Sequence, residues 1–307
     1  LLINDLPNSS HFFILLYPDD TTLEMLSNVL VKLYIGAKIE LDKIADWFRA
    51  NKLTLNISKT KYILFRDKSQ QVDFTNLKLK IQNEDIDRIG EDCKEKFFKF
   101  VGVHLDEHLT WKHHLKHVRG KAASANYALS RLRNLLPMNI KYTIYNSLFR
   151  SHIEFNLSCW GNSRNKDIDM ITVLQKRAIR YIANLKYNSH TGNSFKKLNI
   201  LKFSDLFTLN QASFMYRYVH NKLPPSFNNL FPKLSNFDRS LAFEVPKLSK
   251  ASLKNFPSFA MVKVWNDLPL DIKRKKSLKT FKIYLSRSLT EFYDTVCNKV
   301  NCYSCRK

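Results

Sequence analysis

Two adjacent carboxylates, Asp19 and Asp20, follow the apolar run Phe12–Tyr17 and the single residue Pro18. The apolar run predicts a buried strand, the acids a tight turn, and the residues after them a returning strand. Neighbouring carboxylates at such a position are costly unless a cation or several hydrogen-bond donors meet them. The pair is therefore a candidate ligand set for a divalent metal. The alternative is an ordinary turn, in which Asp accepts hydrogen bonds from nearby backbone.

Three cysteines near the C-terminus form a second candidate metal site. Cys297, Cys302 and Cys305 lie within nine residues, and their thiolates could fill three of the four positions around Zn²⁺. No fourth ligand follows them at a matching spacing, so free thiols are the alternative. His113 and His117 have a helical spacing that can also hold zinc, but the sequence places no third ligand beside them.

The charge balance indicates a polyanionic partner. Fifty Lys and Arg against 27 Asp and Glu give a net charge of +23, which favours nucleic acid. The longest apolar run is about six residues, far short of the roughly 20 that span a bilayer, so we expect no membrane contact. Five cysteines, an odd and scattered set, indicate a reducing compartment, nuclear or cytoplasmic rather than secreted. The chain begins with Leu at a strand, so we expect the C-terminal piece of a longer protein.

Hydrophobic periodicity predicts the elements that position these groups. Helices are predicted at 28–52, 113–136, 139–149, 167–186, 203–222 and 278–292, and strands at 62–65, 77–81, 85–89 and 97–105. The helix at 113–136 has an apolar seam with a 3.5-residue period, suited to packing along another helix. In the helix at 167–186, we expect Lys176, Arg177 and Arg180 to lie away from the buried face.

Basic residues cover much of the remaining surface of the helix at 113–136 and its ends. We expect these side chains to contact nucleic-acid phosphates: Lys112, Lys116, Arg119, Lys121, Arg131 and Arg133. The alternative is a solvated face, the commoner fate of scattered lysines.

Five short motifs, in this order, resemble those of reverse transcriptases from non-LTR retrotransposons, in particular jockey-like elements. They are the segment Ile3–Leu23 with the acid pair, Leu55-Asn56-x-x-Lys59-Thr60, Phe100–Trp111, Cys159-Trp160-Gly161-Asn162, and Val264-Trp265-Asn266-Asp267-Leu268-Pro269. The resemblance implies an α+β fold. Its parts would be a truncated polymerase palm (1–106, a small antiparallel sheet with a packed helix), a thumb-like helical hairpin (107–162) and a mostly helical C-terminal region (163–307, loose near 232–255).

The activity implied for the full-length parent is RNA-directed DNA polymerisation, with RNA template and DNA primer as partners and no small molecule beyond nucleotides. Two Mg²⁺ ions would catalyse nucleotidyl transfer to the primer 3′-hydroxyl. Asp19 and Asp20 match the family's metal-binding pair, whose third aspartate lies on an earlier strand. Lys59 matches a lysine near the incoming nucleotide. The residues matching the element that grips the primer are Val101, Gly102 and Val103.

The sequence departs from the family at Pro18, where these elements usually have Ala. Proline fixes φ near −65°, so a turn with positive φ is excluded there. Either the turn differs or the site is damaged, and we expect no polymerase activity from this chain alone. The rival hypothesis is a catalytically dead, nucleic-acid-binding remnant of a degraded element.

Overall fold

The computed structural model describes residues 3–17, 20–75, 77–163, 166–227, 230–231, 241–245, 257–291 and 293. The chain divides into two compact units, Leu1–Thr110 and Trp111–Lys307. In its described residues the first unit combines short strands with one long helix, and the second is built almost entirely of helices.

The first unit contains eight short strands among its described residues. They are β1 (Phe13–Tyr17), β2 (Asp20–Glu24), β3 (Lys61–Ile63), β4 (Lys80–Ile81), β5 (Glu84–Asp85), β6 (Asp87–Ile89), β7 (Phe98–Phe100) and β8 (Val103–Leu105). The pairs β1–β2, β4–β5 and β7–β8 are antiparallel, whereas β3–β6 is parallel. Among the described residues, the strands therefore form four separate pairs and no larger antiparallel sheet. The polymerase palm stays a prediction.

Helix α1 (Leu30–Ala50) organises the core of the first unit and confirms the helix predicted after the acids. Its buried face, which includes Leu41 and Ile44, packs with Leu6, Leu79 and other apolar side chains. Glu40 on α1 accepts hydrogen bonds from the backbone N–H of His11 and from Lys43, both at 2.7 Å. These bonds tie the chain that enters β1 to the middle of the helix.

The hairpin predicted around the acids is confirmed, but its first strand is not buried. β1 pairs with β2 from Phe13↔Glu24 to Tyr17↔Asp20. Phe13 and Tyr17 are nonetheless 60% and 62% exposed, and only Ile14 of β1 packs against the core. An apolar run alone could not distinguish a covered strand from an uncovered one, because cover depends on neighbours outside the run.

Two other strand predictions differ from the structure, one entirely and one in part. The segment predicted as one strand at 97–105 is the hairpin β7–β8, because Val101 and Gly102 form a turn with positive φ. The predicted pairing of 77–81 with 85–89 is confirmed for β4 and β5, but β6 pairs with β3 instead. Lys61↔Asp87 to Ile63↔Ile89 is a long-range parallel register that local patterning does not reveal.

The second unit contains ten α-helices in the described part of the chain. They are α2 (Lys112–Arg131), α3 (Met138–Ile144), α4 (Ser151–Glu154), α5 (Leu157–Trp160), α6 (Lys166–Ile182), α7 (Gly192–Lys197), α8 (Phe203–Val219), α9 (Pro257–Asn266), α10 (Leu270–Lys273) and α11 (Leu278–Thr290). A π-helical stretch, Tyr145–Arg150, links α3 to α4. The predicted helices all exist, although α2 ends five residues early and α3 continues through α4.

One apolar core runs through the second unit. The seam predicted on α2 is buried and packs closely against α6. Gln175 of α6 is a buried polar residue with every group paired. Its Nε2 donates to the Tyr145 hydroxyl (3.0 Å) and to the Leu201 carbonyl (2.9 Å), and its Oε1 accepts the Phe203 N–H (2.8 Å). A fully paired buried amide fixes the start of α8 relative to α6 without an unsatisfied group.

The Trp-Gly motif has a packing role in this core. Trp160 is fully buried, and its ring centroid lies 5.4 Å from that of His114. A Cβ on Gly161 would lie 2.4 Å from the Phe207 ring and 2.7 Å from the Leu157 carbonyl oxygen. Gly161 is therefore required because α8 approaches the backbone too closely for any side chain.

The Trp-Asn motif near the C-terminus holds a separate segment of chain. Trp265 Nε1 donates to the Leu241 carbonyl at 2.8 Å. Asn266 accepts the N–H of Phe243 and donates to its C=O, both at 2.9 Å. Of the segment expected to be loose near 232–255, only 241–245 is described, and there Phe243 is buried. The rest of that segment lies outside the described residues.

Candidate nucleic-acid interface

The acid pair is only partly described. Asp20 is the first residue of β2, opposite Tyr17, and it is exposed. An exposed carboxylate at the end of a hairpin strand has the oxygen chemistry that suits Mg²⁺. Pro18 and Asp19 lie outside the described residues, so the metal site and the effect of Pro18 on the turn stay predictions.

The segment with Lys59 is a short 3₁₀ turn, Ile57–Lys59. Asn56 caps this turn because its Oδ1 accepts the Lys59 N–H at 3.2 Å and the Ser58 hydroxyl at 2.8 Å. The cap explains why the motif has Asn at that position. Lys59 is exposed, so its ammonium is available to an anion, and its proximity to a nucleotide stays a prediction.

The residues expected to grip the primer lie at the tip of the β7–β8 hairpin. Val101 has φ 42° and Gly102 has φ 84°, as a two-residue hairpin turn requires. Positive φ is unusual for a β-branched residue such as Val101, which is also exposed. Val103 is buried and anchors the hairpin. A protruding, strained tip on an anchored stem can place backbone against a ligand, and the primer contact stays a prediction.

The six basic residues on and near α2 separate into two groups. Arg119 is ion-paired with Asp167 of α6 (2.6 Å), and Arg133 donates to the Leu185 carbonyl (2.7 Å). These two side chains hold the helices together. The other four are exposed: Lys112, Lys116, Lys121 and Arg131.

The exposed face of α2 is basic, and at Gly120 it has no side chain. Lys116, Gly120, Tyr127 and Arg131 lie opposite the buried seam, by the 100° per residue of an α-helix. Among the described residues, nothing beyond the local backbone of α2 lies within 4 Å of the position that a Cβ on Gly120 would take. Tyr127 is exposed and has a ring on which a base can stack. We name this surface, Lys116, Gly120, Tyr127 and Arg131, the α2 face.

A basic pocket lies at the end of α6, and sequence reasoning missed it. It is a cavity of about 80 Å³, lined by Arg133, Arg177, Arg180, Tyr181, Leu185 and Tyr187. The expectation that Arg180 points away from the core was wrong. Arg180 is buried, and its Nε donates to the Ser189 carbonyl at 2.9 Å. We name this cavity the arginine pocket.

The arginine pocket contains three guanidinium groups and no carboxylate among its lining residues. Burial lowers the pKa of Arg180, and the charge of Arg177 lowers it further. A buried cation beside like charges is costly unless an anion meets it. The sequence signal was the spacing of Arg177 and Arg180, which puts both on one side of α6. That spacing alone does not predict a pocket, because the third arginine, Arg133, lies more than 40 residues away in the sequence.

A buried lysine fixes the lining of the arginine pocket. Lys141 donates to the carbonyls of Arg133 (3.0 Å) and Tyr181 (3.4 Å) and to Oδ1 of Asn184 (2.9 Å). Burial lowers the pKa of Lys141, and the neighbouring Arg133 guanidinium lowers it further. Because Lys141 holds two pocket residues by their backbone, the pocket is preorganised.

Cys297, Cys302 and Cys305 lie outside the described residues, so the zinc prediction is untested. The cysteines that are described, Cys93 and Cys159, are free thiols in different units. No helix in the described part of the chain is both long enough and apolar enough to cross a membrane.

Comparison with known proteins gives a relative for this chain. A segment of 193 residues is 21% identical to the RNA-directed DNA polymerase from the mobile element jockey of Drosophila melanogaster. This match supports a distant relationship to reverse transcriptases. The segment covers 62% of the chain but only 20% of that polymerase, so the chain spans a small part of its relative's length. No family model and no solved structure matches the chain.

Proposed function

We propose that this chain is part of the RNA-directed DNA polymerase of a non-LTR retrotransposon, and that its second unit binds the nucleic-acid backbone. The observation that carries the proposal is the arginine pocket. Three arginines and no acidic residue line it, and its volume of about 80 Å³ suits one small anionic group such as a phosphate. The relationship to the jockey polymerase supports nucleic acid as the source of that phosphate.

The α2 face extends this binding surface along the helix. Lys116 and Arg131 would contact successive phosphates, and Tyr127 would stack on an unpaired base. Gly120 lets the backbone of the polynucleotide approach α2 closely, because no side chain intervenes. Such contacts are electrostatic and do not depend on sequence, so binding would weaken steeply as salt is raised.

In the first unit, Asp19 and Asp20 would supply carboxylate oxygens to Mg²⁺, which when bound stabilises charge on the transferred phosphoryl group. Asp20 fits this role because it is exposed at the end of β2. Lys59 would approach the phosphates of the incoming nucleotide. The turn of the β7–β8 hairpin would position the primer terminus. Each of these roles is proposed from the motif to which the residue belongs.

The proposal is tested by the binding of a fluorescent RNA–DNA primer–template, measured by anisotropy over a range of salt concentrations. Substitution K116Q/R131Q on the α2 face should reduce the slope of log affinity against log salt by about two, one for each phosphate contact. Arg177→Gln, which keeps the anchored Arg133 and Arg180, should weaken binding by about tenfold. The matched control is K279Q/K282Q, which removes two exposed lysines from α11.

Equal weakening by the control and test variants would overturn the proposal, since it would show that only net charge matters. Equal affinity for heparin and primer–template would overturn it in favour of an unrelated basic protein. Primer extension in the same samples is a separate measurement. We expect none from this chain alone, and template-dependent synthesis would refute that expectation.

A further inference from the structure

A second group of metal-ligand side chains lies in the first unit, and none of them belongs to the acid pair. Nε2 of His108 lies 3.7 Å from Oε2 of Glu91 and 3.7 Å from Oε1 of Glu107. One ligand atom from each residue lies within 4.8 Å of the other two. The side chains of His108 and Glu107 are 7% and 1% exposed, whereas that of Glu91 is 64% exposed.

The other ring nitrogen of His108 decides what Nε2 can do. Nδ1 lies 3.1 Å from the carbonyl oxygen of Arg66, which can only accept, so Nδ1 carries the proton of a neutral ring. Nε2 then has a lone pair that makes no hydrogen bond to a described residue and faces two carboxylates. A histidine that donates one nitrogen to a backbone carbonyl is in the arrangement that orients metal-bound imidazole.

The two oxygens of Glu107 have separate partners. Oε2 lies 3.3 Å from Arg88 and 3.4 Å from Arg66, while Oε1 accepts the backbone N–H of Glu91 at 2.6 Å and faces His108. The arginines therefore compensate the buried charge and fix the carboxylate so that Oε1 points at Nε2. Asp92 pairs with Arg88, and Lys68 lies 3.7 Å from Glu91, both at the exposed side of the cluster.

We infer that Glu91, Glu107 and His108 form a binding site for a divalent transition-metal ion, with Zn²⁺ the best match. Zinc bonds of about 2.0–2.1 Å in a tetrahedron put ligand atoms roughly 3.4 Å apart. The two 3.7 Å separations need a shift of only a few tenths of an ångström, and the Glu91–Glu107 pair, which lies within 4.8 Å, can close by movement of the exposed Glu91 side chain. One imidazole and two carboxylates favour zinc over Mg²⁺ or Ca²⁺, which prefer oxygen alone.

The ion would join two segments, and a third supports the site through a hydrogen bond to His108. Glu91 follows β6, Glu107 and His108 follow β8, and Arg66, whose carbonyl accepts the hydrogen bond from His108, follows β3. The site would thus brace the stem of the β7–β8 hairpin. This inference does not depend on the proposed function.

The test uses the full chain, stripped with a chelator, in a background of Cys297→Ser, Cys302→Ser and Cys305→Ser that removes the thiolate alternative. Zinc affinity is measured by competition with a chromophoric chelator, and Co²⁺ absorption reports the ligand geometry. Glu91→Ala removes an exposed ligand. His108→Asn removes Nε2 but keeps a donor for the Arg66 carbonyl. The control is Glu84→Gln, an exposed acid on β5 of the same unit.

We expect one zinc per chain in this background, unchanged affinity in the Glu84 control, and at least a tenfold loss in each ligand variant. Zinc should also raise the Tm of the parent but not of the Glu91 variant. Absence of zinc binding, or binding that the ligand variants leave unchanged, would overturn the inference. A Tm of the parent that does not respond to zinc would overturn it too.

Discussion

The two units differ in how completely each covers its own apolar surface. Among the described residues, the core of the second unit contains 33 buried apolar residues and that of the first contains ten. Both large fully buried tryptophans, Trp160 and Trp265, are in the second unit. In the first unit, by contrast, one side of α1 exposes Val31, Ile35 and Ile39 at helical spacing. Helices that bury each other make a consolidated unit, whereas paired strands with one helix leave apolar surface uncovered.

The candidate sites of the two units differ in how firmly the surrounding residues are held and in how exposed they are. The arginine pocket has a rigid frame, because its residues are held by buried backbone contacts. Asp20 begins the second strand of a hairpin that is exposed on both strands. Exposed apolar surface of this kind marks a place where other protein packs. The first unit therefore offers a surface on which another protein segment can pack.

Removal of Trp265 gives the largest effect expected from this contrast. Trp265→Ala removes a fully buried ring and its hydrogen bond to Leu241, and should cost about 3–5 kcal/mol of unfolding free energy. Phe13→Ala on exposed β1 should change stability by less than about 0.5 kcal/mol. Urea unfolding followed by circular dichroism measures both. Similar losses of unfolding free energy in the two variants would contradict the difference in packing between the units.

Two glycine substitutions test the same difference in packing between the units, with smaller expected effects. Gly161→Ala should cost about 1–3 kcal/mol, because the new Cβ meets the Leu157 backbone as well as the Phe207 ring. Gly36→Ala on α1 should stabilise by up to about 1 kcal/mol, since its nearest neighbour is the flexible side chain of Met25 at 3.3 Å. Thermal unfolding of both variants gives the signs. A loss at Gly36 would show that the first unit is as tightly packed as the second.

The smallest expected effect is a difference in pH response. Hydrogen bonds from Lys43 and from the His11 backbone hold the pKa of Glu40 at about 2, below its usual 4.5. The stability from Glu40 is therefore present above pH 4.5 and is lost as pH falls towards 2. Burial raises the pKa of Tyr145 to about 12, so the second unit should lose stability as pH rises from 10 to 12.

Hydrogen exchange of α1 and α6 peptides, followed by mass spectrometry, separates these two responses. Glu40→Gln should reduce the acid response of α1, and Tyr145→Phe the alkaline response of α6. If both helices lose protection together at the same pH in every variant, the units do not unfold separately and the comparison fails.

Sequence patterns predicted the features that depend on residues close together in the chain. The seam of α2 and the face of α1 follow from helical spacing, and the β1–β2 hairpin follows from a run of apolar residues broken by turn formers. The burial of Lys141 and Arg180 was beyond reach, because charged residues are rarely buried and both depend on backbone carbonyls in the turns that follow α2 and α6. The group of Glu91, Glu107 and His108 was missed for the same reason, since its members meet only after β6 and β8 are placed.

The exposed strand β1 also has a consequence for handling the protein. It is uncharged and aromatic-rich, and in the described residues only one of its edges is paired, with β2. A free hydrophobic edge is a template for strand addition by another molecule. Concentrated solutions of the isolated chain should therefore self-associate through residues 13–17, and a lysine placed at Leu15 should suppress aggregation at little cost to the fold.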